Sequence, residues 1–92
     1  MPRITVLLPL QLSRAAGGMR EVEVEAMTVG EALASLRGTH SALAHLILQD
    51  SDEPRRAVAL FLNEENVLTL GRLETPVAAG DRLSVLLPVA GG

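Results

Sequence analysis

The chain contains no cysteine, no lysine, no tryptophan and no tyrosine, and Phe61 is its single aromatic residue. Without cysteine there can be no disulfide, no thiolate metal site and no thiol nucleophile. Without lysine, all eight basic residues are arginine, so no side-chain amine can accept an isopeptide bond. No apolar run approaches the length of a membrane span, and Met1-Pro2-Arg3 does not open a secretory leader. A cytoplasmic protein with no membrane partner is therefore expected. The formal net charge of -3 gives no reason to expect binding to nucleic acid or to anionic lipid.

What is present is a chain of 92 residues that is 48% hydrophobic, enough for one domain with a modest core of Leu, Val, Ile and Ala. Ile4-Thr5-Val6-Leu7-Leu8 is a short run rich in β-branched residues that stops at Pro9. Ile4, Val6 and Leu8 share one face of such a strand, and Thr5 and Leu7 the other. Gly17-Gly18 supplies a turn, and Arg20 to Glu25 then alternates strictly, with Val22 and Val24 inward and three glutamates outward. These two strands are expected to pair as an antiparallel hairpin.

Thr28-Val29-Gly30-Glu31 has the form of a capping box, in which the Thr28 hydroxyl and the Glu31 carboxylate each satisfy a free backbone N–H of the other residue. Val29, Leu33 and Leu36 recur at helical spacing, and Gly38 is placed to end the helix. A second helical piece is expected from Ser41 to Leu48, with Leu43, Leu46 and Ile47 on its apolar face. Ala57 to Leu62 returns to strand character. Asn63-Glu64-Glu65-Asn66 reads as a turn, with Val67 to Leu70 pairing briefly at an edge. Gly80-Asp81 leads into Leu83 to Leu87 as the last strand, ended by Pro88. The order is strand, strand, helix, then two or three strands. One helix linking a hairpin to later strands covers one face of a mixed sheet and leaves the other open.

Few side chains offer chemistry. His40 and His45 are five apart, a poor spacing for one helical face, and read as ordinary surface histidines rather than metal ligands. Asp50, Asp52 and Glu53 lack the glycine and the distal glutamate of a calcium loop. None of Ser13, Ser35, Ser41, Ser51 and Ser84 stands in a nucleophile elbow. Gly17-Gly18 lacks the setting of a phosphate loop. No metal site and no bound cofactor are expected, and an autonomous enzyme would be hard to build from this inventory.

The C-terminus is different. A strand that is apolar on both faces runs into Pro88-Val89-Ala90-Gly91-Gly92. A frayed end is the bland explanation. However, glycines carry no Cβ, so such a tail can thread a narrow channel, and a terminal glycine leaves its carboxyl carbon open to attack. Residues 1–88 are read as the folded domain and 89–92 as a flexible tail.

The block Gly80-Asp81-x-Leu83-x-Val85-x-x-Pro88-Val89-Ala90-Gly91-Gly92, the Thr28-Val29-Gly30-Glu31 helix start and Phe61-Leu62-Asn63 before a turn together resemble the ubiquitin-like sulfur carriers. That family includes the small subunit of molybdopterin synthase, the thiamine thiazole carrier and the carrier of thiocarboxylate-dependent cysteine synthesis. The resemblance implies an α+β fold of the β-grasp type: a mixed sheet of four to five strands, with one main helix and a short second helix on one face. It also implies that an ATP-dependent activating enzyme adenylates the Gly92 carboxylate and that a sulfur donor then yields a thiocarboxylate for a downstream synthase. The carrier itself needs no catalytic residue. The glycine pair after a long first loop and the Pro88-to-Gly92 ending look most like the cysteine-synthesis carriers. Molybdopterin carriers, often with two prolines where this chain has Leu87-Pro88, come next, and the shorter thiamine carriers third. Two readings of another class stay open: a protein modifier conjugated through Gly92, and an interaction module that uses only the sheet. Alternation also puts Leu7, Phe61 and Leu86 on the face opposite the helix, where they are expected to form the partner-binding surface.

Overall fold

The structure is a computed structural model that describes residues 1–87. Strand β1 (Arg3–Leu7) pairs antiparallel with β2 (Glu21–Glu25), with Val6 opposite Val22 and Leu7 opposite Glu21. The alternation of apolar residues sets this register, because a slip of one residue would bury the glutamates. Val22 and Val24 are buried and Glu21, Glu23 and Glu25 exposed. β2 is an edge strand, and its acidic row discourages pairing with another chain.

The connection between these strands is more than a turn. Helix α1 (Leu10–Ser13) and a 3-10 turn over Arg14–Ala16 bury Leu12 and Ala16 against the core. Gly17 and Gly18 end that helical segment with φ of 69° and 91°, and the Gly18 N–H donates to the Ser13 carbonyl at 2.8 Å. The glycine pair is therefore a helix stop as well as the return to β2, and only a four-residue helix precedes it, too short to show a period.

Helix α2 (Val29–Thr39) starts as expected, with the Glu31 N–H donating to the Thr28 hydroxyl at 3.2 Å. The reciprocal bond differs: the Glu31 carboxylate accepts from the Met27 N–H at 2.9 Å, one residue before the cap. The helix also passes through Gly38 and ends only at His40, whose N–H donates to the Leu36 carbonyl. Val29, Leu33 and Leu36 are fully buried. Helix α3 (Ser41–Ile47) buries Leu43, Ala44 and Ile47, whereas Leu46 points to solvent, contrary to expectation. Positions 43, 44 and 47 share the face toward α2, and 46 falls off it.

Strand β3 (Ala59–Leu62) begins later than its apolar run, because a turn closed by the Val58 N–H on the Arg55 carbonyl precedes it. The edge strand β4 is Glu65–Asn66, within the expected turn, and Val67–Thr69 is a 3-10 turn rather than a strand. The Asn66 side chain accepts from the Leu68 N–H at 2.9 Å, which caps that turn and ends the ladder. Strand β5 (Arg82–Leu86) completes a five-stranded sheet of order β2-β1-β5-β3-β4, with β5 parallel to β1 and antiparallel to β3. The sheet is mixed, as the resemblance implied. The helices cover one face, where Ile4, Val6, Leu60, Leu83 and Val85 meet Leu33, Leu36 and Leu43. No helix among the described residues is long and apolar enough to cross a membrane.

Candidate functional site

β5 occupies the centre of the sheet, and its start is fixed by a small polar cluster. Asn63 sits in the left-handed region at φ 58°, and its N–H donates to the Arg82 carbonyl at 2.7 Å. Its side-chain oxygen accepts from the Arg82 N–H at 3.1 Å, and its side-chain N–H donates to Asp81 Oδ1 at 3.3 Å. Asp81 Oδ2 in turn accepts from the Ala78 N–H at 2.8 Å. Gly80, at φ 88°, makes the turn that few other residues tolerate, and its N–H donates to the Arg3 carbonyl at 3.0 Å. The Thr5 N–H reaches the Asp81 carbonyl at 3.0 Å. Thus Phe61-Leu62-Asn63 and Gly80-Asp81, far apart in sequence, jointly anchor the entry of β5.

The far end of β5 is held by β3, with Leu86 opposite Ala59, and Leu87 is half-buried against the core. Pro88, Val89, Ala90, Gly91 and Gly92, the expected tail, lie outside the described residues.

The face opposite the helices carries the expected contact residues. The registers align Glu21, Leu7, Ser84, Phe61 and Asn66 in one row across all five strands. Adjacent strands lie about 4.8 Å apart, so Leu7 and Phe61 flank Ser84 at roughly 10 Å from each other. Leu86 lies two residues further along β5 on the same face, beside Ala59. Leu7 and Phe61 are half-buried, and Leu86 is 44% exposed. The three residues therefore surround Ser84 on a face that no helix covers. Ser84 and Ala59 were missed as members of this surface, although the period-2 pattern that selected Leu86 and Phe61 also selects them. On the β2 side the face turns acidic: Arg3 bridges Glu23 at 3.8 Å and Glu25 at 3.3 Å, while Glu21 makes no ion pair among the described residues.

The histidines do not converge. The His40 ring contacts the Thr39 hydroxyl at 3.0 Å, and the His45 carbonyl accepts from Arg55 Nε at 3.0 Å. Among the described residues no three His, Asp or Glu side chains gather as a metal-binding group.

Comparison with known proteins places this architecture. The description of the ThiS family matches residues 6–92. The chain belongs to the ThiS family. The sulfur carrier protein CysO of Mycobacterium tuberculosis is 31% identical over 91 residues, covering 97% of this chain and 98% of that one. The crystal structure of the Amycolatopsis orientalis BexX/CysO complex contains a chain that superposes with a TM-score of 0.87 at 31% identity, over 97% of this chain and 99% of that one. The solution structure of small archaeal modifier protein 1 from Methanosarcina acetivorans matches with a TM-score of 0.86 at 30% identity, over 100% and 98% of the two chains. The ubiquitin-like β-grasp fold and the resemblance to the sulfur carriers thus hold. The homologues named as sulfur carriers are small carriers rather than catalysts.

Proposed function

We propose that this ThiS-family protein is a sulfur carrier whose reacting group is the Gly92 carboxylate. The observation that carries the reading is the position of β5: a central strand, held on both sides, that runs toward residues 88–92 beside an uncovered apolar face. A rigid launch point and a docking face next to it are what a carrier needs when another enzyme does the chemistry.

In the proposed reaction, a Gly92 carboxylate oxygen attacks the α-phosphate of ATP in an activating enzyme, and pyrophosphate leaves. The acyl-adenylate has the leaving group that a free carboxylate lacks. A hydrosulfide donor then attacks the carbonyl carbon, the C–O bond to AMP breaks, and a terminal thiocarboxylate remains. A downstream synthase takes its sulfur. Leu7, Phe61 and Leu86 are the contact residues for these partners, and the BexX/CysO complex supports a partner-bound mode of action. The whole-length match to CysO favours cysteine synthesis as the pathway, followed by molybdopterin and then thiamine thiazole formation.

The match to a small archaeal modifier protein favours a second reading, transfer of the Gly92 acyl group to a lysine of another protein. Incubation with an activating enzyme, ATP and sulfide, followed by intact-mass analysis, separates the two. A mass gain equal to one oxygen replaced by one sulfur is expected for the carrier. Adducts on other proteins, with no such gain, would support the modifier, and an unchanged mass would leave only an interaction module.

A further inference from the structure

A groove of about 780 Å³ lies between the segment leading into β3 and the 3-10 turns Val67–Thr69 and Arg72–Glu74 that follow β4. Its floor is apolar: Val58, Leu60 and Leu73 line it together with Leu68, whose side chain is 63% exposed. Its rim is basic. Arg55, Arg56 and Arg72, three of the chain's eight arginines, line it against only Glu53 and Glu74. None of the three arginines makes an ion pair among the described residues. The rim thus carries one net positive charge, three arginines against two glutamates, on a protein of net charge -3.

Both walls are built rather than loose. On one side, Gln49 Nε2 donates to the Pro54 carbonyl at 3.0 Å, Leu48 bridges Pro54, and Arg37 ties Asp52 and the Gln49 carbonyl back to α2. On the other, Gly30 of α2 packs so closely that a Cβ there would stand 3.1 Å from the Leu73 carbonyl oxygen. Arg72 is held at φ 53°, a costly conformation for a residue with a side chain. Between the walls runs the start of β3, with the 3-10 turn over Val67–Thr69 packed near it but no strand paired to it. β4 pairs with Phe61 and Leu62 only, so Ala59 and Leu60 have no strand neighbour on that side, and both line the groove.

We propose that this groove binds an extended acidic segment of a partner protein. The unpaired start of β3 offers main-chain pairing, the apolar floor accepts an apolar side chain, and the three arginines select carboxylates. Ala59 also neighbours Leu86, so the groove is continuous with the apolar face, and one partner can occupy both. The proposal stands apart from the reaction at Gly92 and does not depend on it.

The test is selection of random linear peptides displayed on phage against the full-length protein, followed by titration of the enriched peptides into isotope-labelled protein by NMR. Enriched sequences should combine Asp and Glu with an apolar residue and shift amides in 58–60 and 67–73. The double variant Arg56→Glu/Arg72→Glu alters only exposed side chains and should lose roughly tenfold or more in affinity. Arg56→Glu alone should show part of that loss, and Arg14→Glu, at an exposed arginine outside the groove, should bind as wild type. Failure to enrich, enrichment of acid-poor peptides, shifts confined to the Leu7-Phe61-Leu86 face, or full binding by the double variant would overturn the proposal. So would an oligonucleotide of equal charge that shifted the same amides as strongly. Loading of Gly92 is measured separately, so failure of one assignment leaves the other standing.

Discussion

Replacing Gly38 with alanine tests where the main helix ends. Gly38 lies in the last turn of α2, is exposed, has an ordinary helical φ, and an added Cβ would meet nothing within 4 Å. Glycine inside a helix costs roughly 0.5–1 kcal/mol relative to alanine, mainly through the backbone entropy lost on folding. Gly38→Ala should recover about that amount. For a domain of this size the gain corresponds to a rise of roughly 2–8 °C in melting temperature, read by circular dichroism or calorimetry. Gly30 in the first turn of the same helix is the control. There a Cβ would stand 3.1 Å from the Leu73 carbonyl oxygen and 3.3 Å from the Leu73 Cβ. That backbone cannot easily yield, because the Val29 N–H is bonded to the Thr75 carbonyl at 3.0 Å and Thr28 bridges Pro76. Gly30→Ala should therefore destabilise, by about 1 kcal/mol or more, as overpacking does. A fall in melting temperature for Gly38→Ala would mean the helix stops at Gly38. A rise for Gly30→Ala would mean α2 does not press on Leu73.

Thr28→Ala removes the hydroxyl that accepts from the Glu31 N–H and should cost about 1 kcal/mol in chemical denaturation, without changing Gly92 loading at temperatures where the protein is folded. Leu33→Ala, at a fully buried position, should cost about 2–5 kcal/mol. Leu86→Glu and Phe61→Glu should leave the melting temperature largely unchanged and sharply weaken complexes with the activating enzyme or the sulfur acceptor in titration calorimetry. Wild-type affinity of both variants for both partners would move the docking surface elsewhere.

Much of the fold was legible because short-period patterns dominate it. Val22 and Val24 against three glutamates leave one register for β2, and the Thr28 cap with Val29, Leu33 and Leu36 marks both the start and the buried face of α2. The same alternation placed Leu7, Phe61 and Leu86 opposite the helices. What escaped was set by local bonds or by distant contacts. α1 spans four residues and cannot display a helical period. Val67 to Leu70 reads as a brief edge strand, but the Asn66 side chain caps Val67–Thr69 as a 3-10 turn. Leu46 was assigned to the core on hydrophobicity, yet the packing of α3 on α2 uses Ala44 instead. The groove between 49–60 and 66–74 was invisible in sequence, since neither segment carries a motif and only the tertiary fold sets them face to face.

In the proposed function the fold stays chemically inert and Gly92 is the group that reacts. The most direct test compares the full chain with a Gly92 deletion and with a chain extended beyond Gly92, each incubated with activating enzyme, ATP and sulfide and then weighed intact. All three should melt alike, because residues 88–92 follow the last core strand. Only the full chain should gain the mass of a sulfur-for-oxygen exchange. A thiocarboxylate on the deletion variant would contradict the account.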